Sequence, residues 1–428
     1  MERFDAIVVG AGPAGSAAAY HLAKAGLGVV LVERGSSAGS KNVSGALLYP
    51  DPIAGVWPDF LDGAPLERRV ASHRFAMLHE NRSVVLEYGG EEQGPTVGAY
   101  TIQRSKFDPW LAARAEAAGA ALITSVTVDE LLLDSGRVVG VRAGTDELGA
   151  GVVIVADGAK SLLLRGAGLR AEFDPHDMAL GIKEVIELPR DTIEARFGCG
   201  PETGAAYTIL GRTAGVEGGG FLYTNRESLS VGAVVKLDSL AKQGIRPQQV
   251  LDDLKSHPLV ANLIDGGTPL EYSAQTVHRG RFAPGSKLSG DGLLVVGSAA
   301  GLLLNNIVTL RGIDFAIVSG VIAARAAIAA HQRGAFDKAT LAAYDAALKS
   351  TPVYADWRTY KDAFALMDNE RLFTIYPELA CSVMGDMLTP RRSPSRKAFP
   401  AARRRMRGRV SLLRAGRDAL AAARGLVL

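Results

Sequence analysis

At 428 residues, with 47% hydrophobic and 22% charged side chains, the chain can build two or three lobes and is too apolar for wholesale disorder. Its formal charge of +3 conceals an asymmetry: Arg391–Leu428 holds twelve Arg or Lys against the single acid Asp418, a net of +11, so the remaining 390 residues carry 3 − 11 = −8. The two cysteines, Cys199 and Cys381, form no CxxC and the seven histidines are scattered, which excludes a Cys-ligated iron–sulfur cluster, argues against a disulfide framework and a metal, and fits a reducing, cytoplasmic compartment.

Met1 leads straight into a strand pattern, so no secretory signal is expected. Phe4–Val9 is a short β-branched run that reads as a buried parallel strand. Gly10-Ala11-Gly12-Pro13-Ala14-Gly15 follows, then a helical stretch, Ser16–Ala25, and a second strand, Val29–Glu33. In this construction the first glycine permits the turn, the second lets backbone approach a pyrophosphate, and the third lets helix and strand pack closely. The helix start offers free N–H groups and partial positive charge to that phosphate. Glu33 stands eighteen residues after Gly15, where an acid takes the ribose hydroxyls of an adenosine and disfavours a 2′-phosphate. The motif predicts an ADP-containing dinucleotide and leaves FAD and NAD both open.

Further along, Gly136–Val141 reads as a hairpin strand pair, and Gly151–Val155 as another buried strand, ending in Ala156-Asp157-Gly158. The run LLVVGSAAGLLLNN (293–306) repeats the construction of AIVVGAGPAGSAAAY (6–20). Leu293–Leu310 is uncharged for eighteen residues, but its glycines and paired asparagines favour strand–turn–helix over a membrane span. The basic tail contains Arg403-Arg404-Arg405, with Val410, Leu413 and Leu420 on what reads as one helical face. It suits an interfacial helix drawn to anionic lipid, or equally a solvated tail or one docked on the acidic body. Lacking interleaved aromatics, it does not suggest nucleic acid.

An early GxGxxG, a central strand ending in ADG and a late glycine-ended strand together resemble the two-dinucleotide flavoproteins. More narrowly, GSKNVSGALLY (39–49), RSKFD (104–108), GGGFLYTNRESLSVG (218–232), His257-Pro258, Arg311–Ala316 through Ser319-Gly320, and Arg371–Phe373 with Tyr376-Pro377 resemble the FixC family. These are flavoproteins similar to electron transfer flavoprotein–quinone oxidoreductase, and the geranylgeranyl reductases share much of the scaffold. The resemblance runs to about residue 385. It implies FAD, held by Gly10, Gly12, Pro13, Ala14, Gly15, Glu33, Arg34, Lys41, Gly45, Arg104, Val126, Asp157, Gly158, Gly297 and Ser298, with Gly312 and Ile313 offering N–H groups to the flavin pyrimidine edge. Family members usually carry Asp where this chain has Ser298, and a serine accepts a hydrogen bond without a carboxylate's charge.

The expected fold is α/β: a two-dinucleotide-type, Rossmann-like FAD lobe from about 1–60, 97–170 and 278–345, an antiparallel β-sheet substrate lobe from 61–96 and 171–277, and a helical C-terminal segment, 346–428. By continuous range this gives 1–170, 171–277, 278–345 and 346–428. The resemblance implies an oxidoreductase that takes electrons from an electron transfer flavoprotein and passes them towards quinone with a separate ferredoxin-like partner. A cytoplasmic location is expected, with peripheral contact at the inner face of the membrane as a further expectation. The alternative is a stand-alone flavin dehydrogenase or reductase acting on an apolar small molecule, including a biosynthetic tailoring role. A non-enzyme reading, a flavin-free scaffold, rests on Ser298 alone. Tyr49, Tyr223 and Trp357 are candidates to line a substrate pocket, although core packing is the commoner fate. His21 reads as packing, and no catalytic side chain is named.

Overall fold

The computed structural model describes residues 2–40, 45–90, 94, 96–171, 174–279, 288–390 and 397–426. One sheet is centred on the strand Glu2–Val9, paired in parallel with Val29–Val32 on one side and Asp146–Val155 on the other. Ala121–Ile123 and Leu293–Val295 extend it in parallel beyond these two strands. Residues Ala6–Val9, Val29–Val32 and Val152–Val155 are all buried, as β-branched runs covered on both faces should be. Glu130–Asp134 and Arg137–Ala143 form an antiparallel ribbon against Asp146–Val155, so the hairpin read at Gly136 is present. Register decides the function of this sheet. Val9 pairs with Val32 and Val155, and Val155 with Val295, so three glycine-bearing turns leave the sheet at one edge.

The helices Pro13–Lys24 and Ile313–Gln332 cross on this sheet so closely that a Cβ on Gly320 would stand 2.2 Å from the Ala14 carbonyl oxygen. The strand–turn–helix expected over 293–310 needs correction. Leu293–Val295 is followed by a single 3₁₀ turn, Gly297–Ala300, then a two-stranded ribbon, Leu304–Asn305 with Leu310–Arg311, and the helix begins only at Ile313. The asparagines cause the delay: Asn305 Oδ1 accepts from Ile307 N–H, and Asn306 Oδ1 from Thr309 N–H. Such side-chain bonds compete with helix formation. Ile313–Gln332 is long and apolar enough by composition to cross a membrane, but 78% of its apolar window is buried inside the molecule.

The second sheet runs Thr268–His278, Met178–Glu187, Ser228–Lys236, Gly218–Thr224, Thr203–Leu210, Leu66–His79, Tyr100–Ile102 and Ala46–Leu48, with Arg82–Gly89 hairpinned to Leu66–His79. It departs from expectation in two ways. Thr203–Leu210 pairs in parallel with Leu66–His79, so the sheet is not wholly antiparallel. Ala46–Leu48 and Tyr100–Ile102 also join it, although they lie in stretches assigned from sequence to the nucleotide lobe. Three residues are too short to show a period of two.

The tail helices Ala398–Met406 and Leu412–Leu426 lie against the body. Asp418 accepts from Arg371 Nε and Nη2, both at 2.7 Å, and from the Tyr376 hydroxyl. Arg405 pairs with Asp386 at 2.9 Å and Arg409 with Glu378 at 2.5 Å. The single face read from sequence is not kept: Val410 is buried while Leu413 and Leu420 are exposed. The Arg371 guanidinium, then Tyr376, holds the Asp418 carboxyl down to about 2. An unfolded Asp titrates near ~4, so this latch contributes fully above about pH 4 and is lost as pH falls through about 2. Asp418→Asn should expose Leu412–Leu426 to rapid hydrogen exchange at pH 7, while the wild-type helix stays protected until the acid range. Unchanged exchange in the variant would show that other contacts dock the tail.

Candidate functional site

At the shared edge of the first sheet a cleft of about 380 Å³ opens, roofed by the second sheet. Its walls include Gly10, Gly12, Pro13, Ala14, Glu33, Arg34, Gly45, Arg104, Val126, Asp157, Gly158, Ser298, Gly312 and Ile313. The structure thus brings together most of the residues singled out from sequence. Gly15 and Gly297 stand behind the wall, and Lys41 lies outside the described residues.

The first turn shows why each glycine is there. Gly10 has φ +103°, and a Cβ on it would meet the Ala156 carbonyl oxygen at 2.4 Å. A Cβ on Gly15 would stand 1.9 Å from the Gly10 carbonyl oxygen. In front of Gly12 there is nothing within 4 Å. Backbone is therefore bare where the helix Pro13–Lys24 begins, the geometry of an anion cradle. Gly297 is a packing residue: its N–H donates to Ser319 Oγ at 2.9 Å, and an added Cβ would press on Ala14 at 2.8 Å.

Glu33 is fixed by the backbone it serves, Oε2 accepting from Ala11 N–H at 2.9 Å and Oε1 from Gly35 N–H at 2.6 Å. Each oxygen keeps a second acceptor site for a hydroxyl. Arg104 forms a bidentate pair with Asp108, both contacts at 2.5 Å. Asp157 lies past the strand end with Oδ2 accepting from Leu163 N–H at 3.1 Å and Oδ1 buried without a partner. Burial raises its carboxyl, opposed by the Leu163 N–H and by Arg170. An orphaned acceptor in a cleft wall suits a ligand hydroxyl. Ser298, half-buried, lines the cleft on the neighbouring strand end.

At the far end, Gly312 and Ile313 start the helix, and Arg311 ties that start to Asp314 (2.6 Å) and to Asp356 of the C-terminal segment (2.6 Å). Sequence reading missed Lys183, 1% exposed, whose Nζ donates to the Gly45 carbonyl at 3.0 Å. Burial, reinforced by Arg104 and opposed by Glu271, pushes its amine well below the usual lysine range. The available signal was a lysine directly after the apolar run MALGI in the strand MALGIKEVIE.

Beyond the cleft is a smaller, mainly apolar chamber of about 110 Å³. Leu47, Phe221, Tyr223, Val234 and Leu310 line both spaces, so the two share a wall. Tyr223 therefore belongs to a pocket as well as to the core, whereas Tyr49 is packed beside Arg311. Trp357 lines a third hollow at the C-terminal segment, and His21 packs on Trp57. The chamber's polar wall residues include Lys236, His278 and Arg279, which sequence reading also missed.

Comparison with known proteins fits this geometry. The model of the FAD-dependent oxidoreductase family matches residues 5–92, that of the ubiquinone-binding domain of ETF-QO matches 178–277, and that of the ETF-QO/FixC family C-terminal domain matches 363–426. Over 390 residues, 91% of each chain, the sequence is 44% identical to the probable electron transfer flavoprotein-quinone oxidoreductase YdiS of Escherichia coli K12. It is 44% identical over 388 residues, 90% of each chain, to Protein FixC of the same organism. This chain belongs to the FixC/ETF-quinone oxidoreductase family. It is an FAD-dependent oxidoreductase with a ubiquinone-binding domain. A geranylgeranyl bacteriochlorophyll reductase-like structure from Thermoplasma acidophilum superposes with TM-score 0.73 at 22% identity, over 98% of this chain and 100% of that one. The myxobacterial halogenase CndH gives TM-score 0.66 at 19% identity over 91% and 90%. These two likenesses concern the fold alone.

The bare turn at Gly12, the anchored Glu33 and the orphaned Asp157 oxygen fit FAD in this FixC-family cleft. Gly12→Val should fold, since space is open there, yet purify without the yellow flavin absorbance. Gly15→Ala should instead lose about 1–3 kcal/mol of stability through overpacking against Gly10, read as a lowered Tm of the flavin-free protein. A yellow Gly12→Val protein is the result incompatible with the cradle.

Proposed function

We propose that this protein accepts electrons from an electron transfer flavoprotein onto its FAD and delivers them to a quinone in the apolar chamber, with a separate ferredoxin-like partner. The observation that carries this reading is that the chamber adjoins the FAD cleft through a shared wall, and that much of its lining comes from the stretch 178–277 matched by the ubiquinone-binding model. The ferredoxin-like partner is supported by the cysteine count, since two separated cysteines cannot ligate a cluster.

In this reading Gly10, Gly12, Pro13 and Ala14 hold the pyrophosphate, Gly15 and Gly297 set the close packing beneath it, and Glu33 with Arg34 and Val126 takes the adenosine. Asp157, Gly158 and Ser298 face the ribityl chain. Gly45, Gly312 and Ile313 border the flavin ring, Arg104 braces the wall, and Lys41 belongs to the same set by resemblance. Bound FAD supplies a reversible two-electron couple. The side chains orient it and keep water from it.

Leu86 and Tyr88 on one strand, Met387 and Leu388 on a helix that contacts that strand, and Phe399 are exposed, and the exposed Arg403 and Arg404 follow Phe399 closely in the chain. Apolar exposure beside clustered arginine supports peripheral contact with anionic membrane. The mainly apolar chamber also suits the second reading, a dehydrogenase or reductase of an apolar small molecule. Anaerobic mixing with a reduced electron transfer flavoprotein separates the two. Bleaching of the bound flavin, reversed by a soluble quinone, is the expected result. A flavin that ignores this donor but responds to small apolar substrates would transfer the assignment to the second reading.

A further inference from the structure

Lys236 ends the strand Ser228–Lys236, lines the chamber and is only 8% exposed. Its ammonium donates to Glu217 Oε2 at 2.9 Å, and Asp368 Oδ1 lies 3.9 Å away. Both carboxylates reach solvent, with side chains 19% and 37% exposed. Arg279, the other cation of this wall, is engaged by the His176 and Met367 carbonyls and by Asp368, and a guanidinium does not give up a proton. Burial holds His73 and His278 of the same wall towards the neutral imidazole. Lys236 therefore combines a place at the chamber, a transferable proton and a hydrogen-bonded route to water.

We propose that Lys236 is the general acid that protonates a quinone carbonyl oxygen in this chamber and regains its proton from solvent through Glu217, an inference that rests on the quinone reading above. Conversion of a quinone to a quinol adds two electrons and two protons. Reduced FAD, when bound, would supply the electron pair and one proton. The other proton leaves Lys236 Nζ as C=O becomes C–O–H, and Glu217 passes a proton from water back to the amine.

The test uses the full chain with its FAD reduced beforehand under anaerobic conditions, a short-chain ubiquinone analogue and ferricyanide, a one-electron acceptor that takes up no proton. Lys236→Met should slow quinone reduction by about 100-fold or more, the usual contribution of a positioned proton donor. Binding of the analogue is measured at equilibrium so that rates are compared at saturation, and ferricyanide reduction should stay within a few-fold of wild type. Lys236→Arg keeps the charge and much of the packing but withholds the proton, so it should fail with quinone as the Met variant does. Recovery of quinone activity in Lys236→Arg would overturn the proposal in favour of an electrostatic or packing role. So would equal losses with both acceptors, or an unimpaired Lys236→Met. A wild-type enzyme that reduces ferricyanide but neither binds nor reduces the quinone would overturn the quinone reading itself, and this inference with it.

Discussion

The parallel pairing of Val9, Val155 and Val295 is the constraint on which the rest depends. Neighbouring strands lie about 4.8 Å apart, so in-register pairing sets the turns after Val9, Val155 and Val295 side by side. One turn bares backbone before a helix start, one presents Asp157, and one presents Ser298. Shifting one strand by a residue would turn its buried side chains to the other face and move its turn out of the cleft. Close contacts leave little room for such a shift, because Gly10 and Gly15 admit no Cβ without meeting backbone at 2.4 and 1.9 Å.

The second sheet is fixed by buried polar contacts. Arg68 is fully buried yet satisfied: Nε donates to the Asn225 carbonyl at 2.7 Å, Nη1 to Gly200 at 2.7 Å, and Nη2 pairs with Glu194 at 3.3 Å. Lys183 reaches across to Gly45 in the same way. Removing one partner of such a contact leaves a stranded buried group, which costs more than the contact gains. The Lys183 contact thus ties the second sheet to Gly45 in the cleft wall.

The same architecture occurs in a reductase-like protein and in halogenases at about 20% identity or less for the latter. A shared scaffold does not fix the chemistry. In this chain the chamber beside the cleft is mainly apolar, with Lys236 and Arg279 among its polar wall residues. Apolar walls with a few polar groups are the pattern of most small-molecule sites.

The sequence alone determined the first strand, its glycine turn and Glu33, because these contacts are local: a β-branched run, three glycines and an acid at fixed spacing dictate one backbone path. It also located the Asp157 and Gly297 turns, since each follows its own apolar strand. Only the tertiary structure decided where Gly297, Lys183 and Lys236 stand. Gly297 packs on Ala14, nearly three hundred residues earlier; Lys183 reaches Gly45; and Lys236 faces a chamber whose other walls come from residues as distant as Leu47 and Phe373. The delay of the helix to Ile313 is by contrast local in origin, since the Asn305 and Asn306 side chains capture backbone two and three residues on, a competition that the apolar pattern of the run does not record. Spacing in the chain carries short-range geometry, whereas a pocket is a product of contacts between segments whose separation no local pattern records.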